Sequence, residues 1–384
     1  MSDLFKFYQD RTAAMLELLE EMVRHESPTR NKPLVDRFGG FMHGILANLD
    51  AEIEVFPRKE VGDIRLAKWN AKAPGKPIMM LGHIDTVWPE GTLATDVPIQ
   101  ITDTHFFGPG ALDMKSGLLL FIEAIRGLQQ RNEFPQRPIW LLLTSDEEVA
   151  SVHSRELINE LAPACGLVLV AEPAGEGEAL KTMRKGIGRY WVRSEGLASH
   201  SGNAPEAGIN AIIDNAHQAI RIHDLNDLPN GTSVSVTTIS GGTTINVIPA
   251  QAELYVDVRF SVVEEANRVH EAIHSLQPVI PGAKLTVRGW VDRPPLERNE
   301  RMRATFGQAQ RIAEAVGLPP LQESFSGGGS DGNFTAGAGI PTLDGLGPEG
   351  TGMHATHEQL LIRSLPRRAT LIAGILRDWE MPEE

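Results

Sequence analysis

The chain has 384 residues, of which 41% are hydrophobic and 22% are charged, a balance typical of a folded protein and not of an intrinsically disordered one. At roughly 150 residues per domain, this length predicts about two to three domains. Fifty Asp and Glu residues outnumber 36 Lys and Arg residues, so the net charge is −14 and neither a nucleic acid nor a membrane is an expected partner.

The first part of the chain alternates predicted helices with short apolar strands. A helix is predicted from Leu4 to Val23, where apolar residues recur near every 3.6 positions, and no signal peptide or membrane span is expected from the apolar runs. The further elements are buried strands at 77–82, 139–143 and 167–170 and a helix at 115–131. Strands that are apolar on both faces and alternate with helices predict an α/β domain with a mostly parallel, helix-covered sheet.

A different pattern occupies residues 183–292. Strands with alternating polarity are predicted at 188–193, 233–238, 252–259 and 284–288, with helices near 207–223 and 263–276. The order β-α-β-β-α-β is typical of a small α+β domain of the split βαβ, or ferredoxin-like, kind. The sequence therefore predicts a catalytic domain in two parts, 1–182 and 293–384, interrupted by an inserted lid or dimerisation domain, 183–292.

Polar clusters follow the buried strands directly. His83 and Asp85 come after the first strand, Asp146-Glu147-Glu148 after the second, and Glu172 after the third. A glycine-rich turn, 108–117, places Asp113 at the start of the following helix. Any one of these residues could be a helix cap or a solvated acid, but ligands bind at the carboxyl ends of parallel strands. The combination predicts one shared site.

The charge of this site predicts bound cations. If Asp85, Asp113, Glu147, Glu148 and Glu172 meet, five negative charges share one pocket and cannot all stay ionised without compensation. Two divalent ions would supply that compensation. Imidazole and carboxylate ligands without thiolate suit two Zn²⁺ ions, and Co²⁺ or Mn²⁺ accept similar ligands. The lone Cys165 excludes a cysteine-rich zinc site and predicts a reducing, cytoplasmic setting.

The motifs together resemble those of one enzyme family. His83-Ile84-Asp85, Gly108-Pro109-Gly110 with Asp113, Asp146-Glu147-Glu148, Glu172-Pro173 and Ser199-His200-Ser201-Gly202 are similar to motifs of the cocatalytic zinc family of glutamate carboxypeptidase, acetylornithine deacetylase and aminoacylase. Further stretches resemble the bacterial folate-hydrolysing glutamate carboxypeptidases within that family: 246–250, 257–259, 327–331 and 366–368.

This resemblance implies roles for individual residues. His83 and Glu172 would bind one zinc ion, Glu148 and His354 the other, and Asp113 would bridge both. Asp85 would orient His83 through its second ring nitrogen, and Glu147 would transfer the proton between the attacking water and the leaving amine.

Two histidines compete for one ligand position. The family motif places the ligand a few residues before a Glu, and His354 has this spacing with Glu358. His357 stands at a position that varies within the family. We therefore expect His354 to be the ligand.

The inserted domain is expected to complete the site. His200 would reach a partner subunit's site and stabilise the oxyanion, which implies a homodimer through this domain. Arg259 would pair with a substrate carboxylate, unless it pairs across strands instead. Further substrate contacts are expected from Asn246, Arg293, Gly328 and Gly329.

Two other motifs suggest different enzymes. Gly328-Gly329-Ser330-Asp331-Gly332 matches the G-x-S-x-G of serine hydrolases, with Asp344 and His354 following in triad order, but no buried strand precedes it. The G-x-G-x-x-G at 327–332 lacks the strand-turn-helix context of a dinucleotide site.

The expected activity is hydrolysis of an amide bond beside a free carboxylate in a small amino-acid amide, most simply by a carboxypeptidase that releases C-terminal glutamate or a similar amino acid. The alternative substrate is an N-acyl amino acid, as for acetylornithine deacetylase or aminoacylase. A catalytically inactive, metal-dependent binding protein is the alternative from another class, but Glu147 and every expected ligand are present.

Overall fold

A computed structural model describes residues 2–381 and divides the chain into two compact units. The larger unit is assembled from Met1–Thr182, Arg298–Phe325 and Ser330–Glu384, and the smaller from Met183–Glu297 and Ser326–Gly329. The inserted domain is predicted at 183–292. The smaller unit starts at the same residue, ends five residues later at Glu297, and also includes the loop that contains Gly328 and Gly329.

The helices of the described residues are, in chain order, α1 (Asp3–Asp10), α2 (Thr12–Arg24), α3 (Lys32–Ala47), α4 (Ser116–Gln130), α5 (Arg155–Leu161), α6 (Ala211–His223), α7 (Val263–His274), α8 (Glu300–Ala315), α9 (Gly332–Gly337) and α10 (Ser364–Asp378).

The strands are β1 (Glu52–Phe56), β2 (Ile64–Trp69), β3 (Ile78–His83), β4 (Gln100–Ile101), β5 (His105–Phe107), β6 (Ile139–Thr144), β7 (Leu167–Val170), β8 (Leu180–Arg184), β9 (Gly186–Glu195), β10 (Ser199–His200), β11 (Ser233–Gly241), β12 (Val247–Ile248), β13 (Gln251–Phe260), β14 (Lys284–Arg293), β15 (Glu323–Ser326), β16 (Thr342–Leu343), β17 (Gly350–Thr351) and β18 (Gln359–Leu361).

A six-stranded sheet in the order β1-β2-β6-β3-β7-β16 forms the centre of the larger unit. The strands β6, β3, β7 and β16 are parallel, whereas β2 and β1 continue the sheet in antiparallel orientation. The predicted mostly parallel sheet is therefore confirmed. Every residue of the central strands β3 and β7 is buried, because helices such as α4 and α10 pack against the sheet.

The structure near the start of the chain differs from the sequence-based prediction in three ways. The predicted helix 4–23 is two helices, which separate at Arg11. α3 starts behind Asn31, whose side chain accepts a hydrogen bond from Leu34 N. β1 is an edge strand with no buried residue, so it lacks the apolar run by which buried strands are recognised.

The smaller unit contains a four-stranded antiparallel sheet in the order β11-β13-β9-β14. Buried and solvent-facing residues alternate along β13, and the buried side packs with residues of α6 and α7. The predicted split βαβ arrangement is confirmed. No helix within residues 2–381 has both the length and the apolar character needed to cross a bilayer.

Candidate active site

The carboxyl ends of three neighbouring strands bring the predicted polar clusters together. In the parallel pairs of the sheet, His83 at the end of β3 lies opposite Thr144 at the end of β6, and Leu81 lies opposite Val170 at the end of β7. The loops that follow therefore leave the sheet at one edge. They carry Asp85, the Glu147–Val149 turn and Glu172.

Asp113 lies between two histidines. Its Oδ1 atom is 3.2 Å from His83 Nε2, and its Oδ2 atom is 3.4 Å from His354 Nε2. The carboxylate thus presents one oxygen to each imidazole, which is the arrangement expected of a bridging ligand.

The other two acids complete the cluster on opposite sides. Glu148 Oε2 is 3.3 Å from His354 Nε2, and Glu172 Oε1 is 3.6 Å from His83 Nε2. Ligand atoms of His83, Asp113 and Glu148 all lie within 4.8 Å of one another. The structure therefore brings together all five residues expected to bind metal. His354 and His357 are both exposed, but it is His354 whose Nε2 approaches Asp113 and Glu148.

Asp85 supports the cluster from behind. Its backbone oxygen is 2.9 Å from His83 Nδ1, and its Oδ1 atom is 3.5 Å from the same nitrogen, so the second ring nitrogen of His83 faces Asp85. The Asp85 carboxylate also accepts hydrogen bonds from the backbone N–H groups of Glu147 and Glu148. Asp85 therefore contacts both the segment that carries His83 and the segment that carries Glu148.

The close packing of acids and imidazoles in the cluster shifts their pKa values. Although burial disfavours a charged imidazole, hydrogen bonds to Asp113, Asp85 and Glu172 raise the pKa of His83. Hydrogen bonds to Asp113 and Glu148 raise the pKa of His354 to about 10. Burial raises the pKa of Glu148 to about 7, while the two histidines hold the pKa of Asp113 well below its ordinary value despite burial.

This donor set fits a pair of divalent cations. It offers two imidazole nitrogens and three carboxylates, which is ligand chemistry suited to zinc, cobalt or manganese. Within the described part of the chain, Glu148 Oε1 is buried and has no hydrogen-bond partner. A buried carboxylate oxygen left in this way is costly unless a cation satisfies it.

The serine-hydrolase alternative does not fit the structure. Ser330 is fully buried, and its hydroxyl donates to Asp344 Oδ2 at 2.6 Å. His354, the third member of the suggested triad, contacts Asp113 and Glu148 instead. Among residues 2–381, the hydrogen-bond acceptor of the Ser330 hydroxyl is a carboxylate and not the imidazole base that a triad requires.

The expected catalytic residue His200 and the expected substrate-binding residues Asn246 and Arg259 belong to the smaller unit and are at least partly exposed. His200 Nδ1 accepts hydrogen bonds from the backbone of Gly202 and Asn203. Asn246 is exposed, and its carbonyl accepts from Ser201 N. Arg259 forms a two-bond ion pair with Asp257, at 2.8 and 3.0 Å, so its partner is on its own strand and not on a neighbouring one.

The remaining expected residues also belong to the smaller unit. Arg293 is buried at the end of β14. The carbonyl oxygens of Gly328 and Gly329 accept hydrogen bonds from Arg184 Nη1 at 3.2 and 3.3 Å. These glycines therefore lie in a loop whose backbone is held by a buried arginine.

Two buried acids near the cluster were not among the expected site residues. Glu358 accepts hydrogen bonds from the turn that carries Asp113. Asp331 accepts from Thr144 at 2.9 Å and from Ser151, so it braces the two ends of the Glu147–Glu148 segment. The sequence signal for Glu358 was its position shortly after His354, and the signal for Asp331 was its position directly after the glycine-rich stretch 327–330.

Comparison with known proteins places the chain among metallopeptidase relatives. Residues 79–378 match the model of peptidase family M20/M25/M40. The chain is 29% identical over 381 residues to carboxypeptidase G2 of Pseudomonas sp. (strain RS-16), covering 98% of this chain and 91% of that protein. It is 27% identical over 380 residues to succinyl-diaminopimelate desuccinylase of Thioalkalivibrio sulfidiphilus, covering 94% and 98% of the two chains.

The fold is similar to that of solved structures. One is the Bacillus subtilis YXEP protein, described as a dinuclear metal-binding peptidase from the M20 family, with a TM-score of 0.70 and 16% sequence identity. The match covers 96% of this chain and 98% of that one. At this identity the likeness concerns the fold.

Proposed function

Because this chain belongs to peptidase family M20/M25/M40, and is an enzyme of the peptidase and amidohydrolase type, we propose that it hydrolyses an amide bond beside a free carboxylate with the help of two divalent metal ions. The observation that carries this proposal is the position of Asp113, which presents one carboxylate oxygen to His83 and the other to His354. The family name and this geometry both support hydrolysis of an amide bond at a metal centre.

Each metal ion would have its own ligands beside the shared Asp113. His83 and Glu172 would hold one ion, and Glu148 and His354 the other. Bound there, the ions would supply positive charge beside the substrate carbonyl and increase the acidity of water. The YXEP protein, described as binding a dinuclear metal centre, has the same fold and supports a two-metal interpretation.

The remaining chemistry falls to side chains of the chain itself. Glu147 directly precedes Glu148 and is partly exposed, so its carboxylate can accept a proton from the attacking water and return it to the leaving amine. Asp85 would keep His83 in one tautomer and orientation through its contacts with Nδ1. It also fixes the backbone of Glu147.

We propose release of a C-terminal amino acid, with glutamate as the first candidate, as the specific reaction. One relative is named carboxypeptidase G2, and the motifs resemble those of glutamate carboxypeptidases. The guanidinium of Arg259 suits a substrate carboxylate, which would have to compete with Asp257. Asn246, Arg293 and the backbone at Gly328 and Gly329 are the further proposed substrate contacts.

A second candidate reaction is removal of an N-acyl group from an amino acid. It is favoured by the relatives named succinyl-diaminopimelate desuccinylase, which match nearly as much of the chain. Both reactions break an amide bond and would use the same metal ligands. They differ in the acyl group that is attached to the released amino acid.

We further propose a homodimer formed through the smaller unit. β11 is an edge strand of its sheet and exposes Ile239, and the neighbouring α6 exposes Ile213 and Ile220. His200 would act in the site of the partner subunit as an oxyanion donor. Measuring the mass in solution by light scattering tests this, since a monomer would contradict it.

Zinc is the proposed native metal, and the cytoplasm is the proposed location. The mixed nitrogen and oxygen ligands suit zinc without excluding cobalt or manganese. The one cysteine, Cys165, is buried and free, which agrees with a reducing compartment. Metal analysis of the purified protein and cell fractionation test these two statements.

The decisive experiment for the function is a substrate panel. The metal-free protein is loaded separately with Zn²⁺, Co²⁺ or Mn²⁺ and assayed for amino-acid release from α- and γ-linked glutamyl compounds and from N-acetyl and N-succinyl amino acids. We expect release from substrates with a carboxylate beside the amide, and none from their amidated counterparts. Failure to release any amino acid would contradict the proposal.

A further inference from the structure

We infer that Glu358 is a positioning residue that sets the distance between Asp113 and His354 by joining three ligand-bearing segments of the proposed metal site. The inference rests on the proposed two-metal function. Its basis is the set of hydrogen bonds that this one buried carboxylate accepts, from parts of the chain that are far apart in sequence.

Both oxygens of Glu358 are fully used. Oε1 accepts from the backbone N–H groups of Leu112 and Asp113, at 2.8 and 3.1 Å. Oε2 accepts from the backbone N–H of Gly110 at 2.8 Å and from the indole N–H of Trp88 at 2.7 Å. The side chain is completely buried. It is therefore fixed in orientation by four donors that converge on it.

These donors belong to the segments that carry the ligands. Three of them lie in the turn that ends at Asp113, and Trp88 lies three residues after Asp85 in the loop that follows His83. Glu358 itself is four residues beyond His354. A single carboxylate thus links the segments of three proposed ligands.

The backbone around Glu358 strengthens the same link. β18 begins at the next residue and pairs with β5, which leads into the Asp113 turn. The carbonyl oxygen of Glu358 is within hydrogen-bonding distance of Gly108 N, at 3.4 Å. Main chain and side chain of this residue therefore hold the turn from both ends.

An ionised carboxylate suits this position better than any neutral side chain. Four donors converge, and a buried donor left without an acceptor costs about 1–3 kcal/mol. A carboxamide has one acceptor oxygen, and its amino group would face two N–H donors. In Glu358→Gln, either the Leu112 and Asp113 pair of donors or the Gly110 and Trp88 pair loses its acceptor.

The effect of such a change should appear at the metal before it appears in substrate binding. Asp113 must keep its two oxygens directed at two different histidines, which are 3.2 and 3.4 Å away. Loosening the Asp113 turn relative to His354 would misplace this shared ligand. Loss of outer contacts to metal ligands typically weakens metal binding roughly 10- to 100-fold.

The test compares Glu358→Gln with a matched control, Glu123→Gln. Glu123, on α4, is also fully buried in the larger unit, but it pairs with Arg11 and Arg126 and lies outside the proposed site. Metal-free proteins are titrated with Co²⁺ against a competing chelator, and the visible spectrum of the bound cobalt is recorded. Kinetic constants are measured on the best substrate of the panel.

We expect Glu358→Gln to bind Co²⁺ roughly 10- to 100-fold more weakly, with a changed cobalt spectrum and a lower kcat at nearly constant KM. Glu123→Gln should keep the cobalt affinity and spectrum of the original protein. If Glu358→Gln also keeps them, or if both variants lose them alike, Glu358 has only a general structural role and the inference is overturned.

A milder variant covers the case in which Glu358→Gln does not fold. Trp88→Phe removes one of the four donors and leaves the carboxylate in place, and it should weaken cobalt binding roughly 2- to 10-fold. Unchanged binding in this variant would overturn the inference in that case. If the proposed function itself is wrong, the result differs from all of these, because the wild-type protein would then bind no Co²⁺ or release no amino acid.

Discussion

Gly117, in the first turn of α4, lies directly against the backbone carbonyl of Ala171, the residue that precedes Glu172. A Cβ atom on Gly117 would overlap the carbonyl oxygen and lie 2.9 Å from the carbonyl carbon. Only glycine allows α4 to approach the end of β7 this closely. The contact therefore sets the separation between the Asp113 turn and Glu172.

Replacing Gly117 by alanine should push α4 away from β7 and reduce activity. We expect a loss of about 1–3 kcal/mol in the free energy of unfolding, as for other overpacked sites, together with weaker metal binding. The control is Gly44→Ala in α3, where a Cβ would meet no atom within 4 Å. That change should leave stability unaltered or increase it. Equal urea denaturation midpoints for the Gly117 and Gly44 variants would contradict the steric argument.

Glu147→Gln should separate catalysis from metal binding. The expected result is a fall in kcat of roughly 10²- to 10⁴-fold at unchanged metal content, because a carboxamide cannot accept the proton. Glu160→Gln, an exposed acid on α5, is the comparison and should retain full activity. Normal turnover by the Glu147 variant would show that another group is the base.

Exchange of His354 or His357 by alanine should give unequal results. His354 Nε2 approaches Asp113 and Glu148, so His354→Ala should reduce metal affinity by more than the roughly 10- to 100-fold typical of an outer contact. His357 is not the histidine that approaches these two acids, so His357→Ala should bind metal normally. Equilibrium dialysis with Zn²⁺ or Co²⁺ distinguishes the two. The reverse order would assign the ligand to His357.

Metal binding should release protons. Without metal, hydrogen bonds raise the pKa of His354 to about 10, so this imidazole is protonated at neutral pH, and Glu148, with a pKa of about 7, is partly protonated; the acids around His83 raise its pKa as well. Ligation requires the deprotonated forms, so at least about one proton should leave as metal binds at pH 7. Metal affinity should consequently fall as the pH is lowered. A pH indicator in weak buffer during Co²⁺ addition measures this release, and its absence would contradict the ligand assignment.

Arg259→Lys should raise KM for carboxylate substrates while changing kcat less. A lysine cannot reproduce the two-bond pairing of a guanidinium with a carboxylate, and the expected loss is roughly 10- to 100-fold in affinity. Arg193→Lys is a suitable comparison, since Arg193 is paired with Glu195 elsewhere on the same sheet. If both variants show the same KM as the original protein, Arg259 does not bind the substrate carboxylate.

Local patterns were sufficient to predict the three strands that precede His83, Glu148 and Glu172. The run Leu167–Val170 is apolar throughout and forms β7 as predicted, because a strand buried on both faces has no polar positions. His83, Glu148 and Glu172 could then be expected at one edge of the sheet. By contrast, β1 is exposed and pairs only at the edge, so its residues carry little signal of its existence.

The role of Glu358 could not be predicted in the same way. It depends on β18 pairing with β5 and on the direction of three backbone N–H groups more than 240 positions earlier in the chain. Periodicity and motif spacing contain no information on such a pairing. The same holds for Asp331, whose contacts with Thr144 and Ser151 arise only when α9 packs beside the sheet.

The division of the larger unit into separate chain segments has a consequence for biosynthesis. His354 and Glu358 belong to its last segment, which follows the whole smaller unit. At about 5–20 residues per second, a ribosome needs roughly 10 to 40 s to proceed from Glu172 to His354. During this interval the nascent polypeptide carries His83, Asp113, Glu148 and Glu172 without His354, so the proposed metal site cannot be complete until this last ligand has been synthesised.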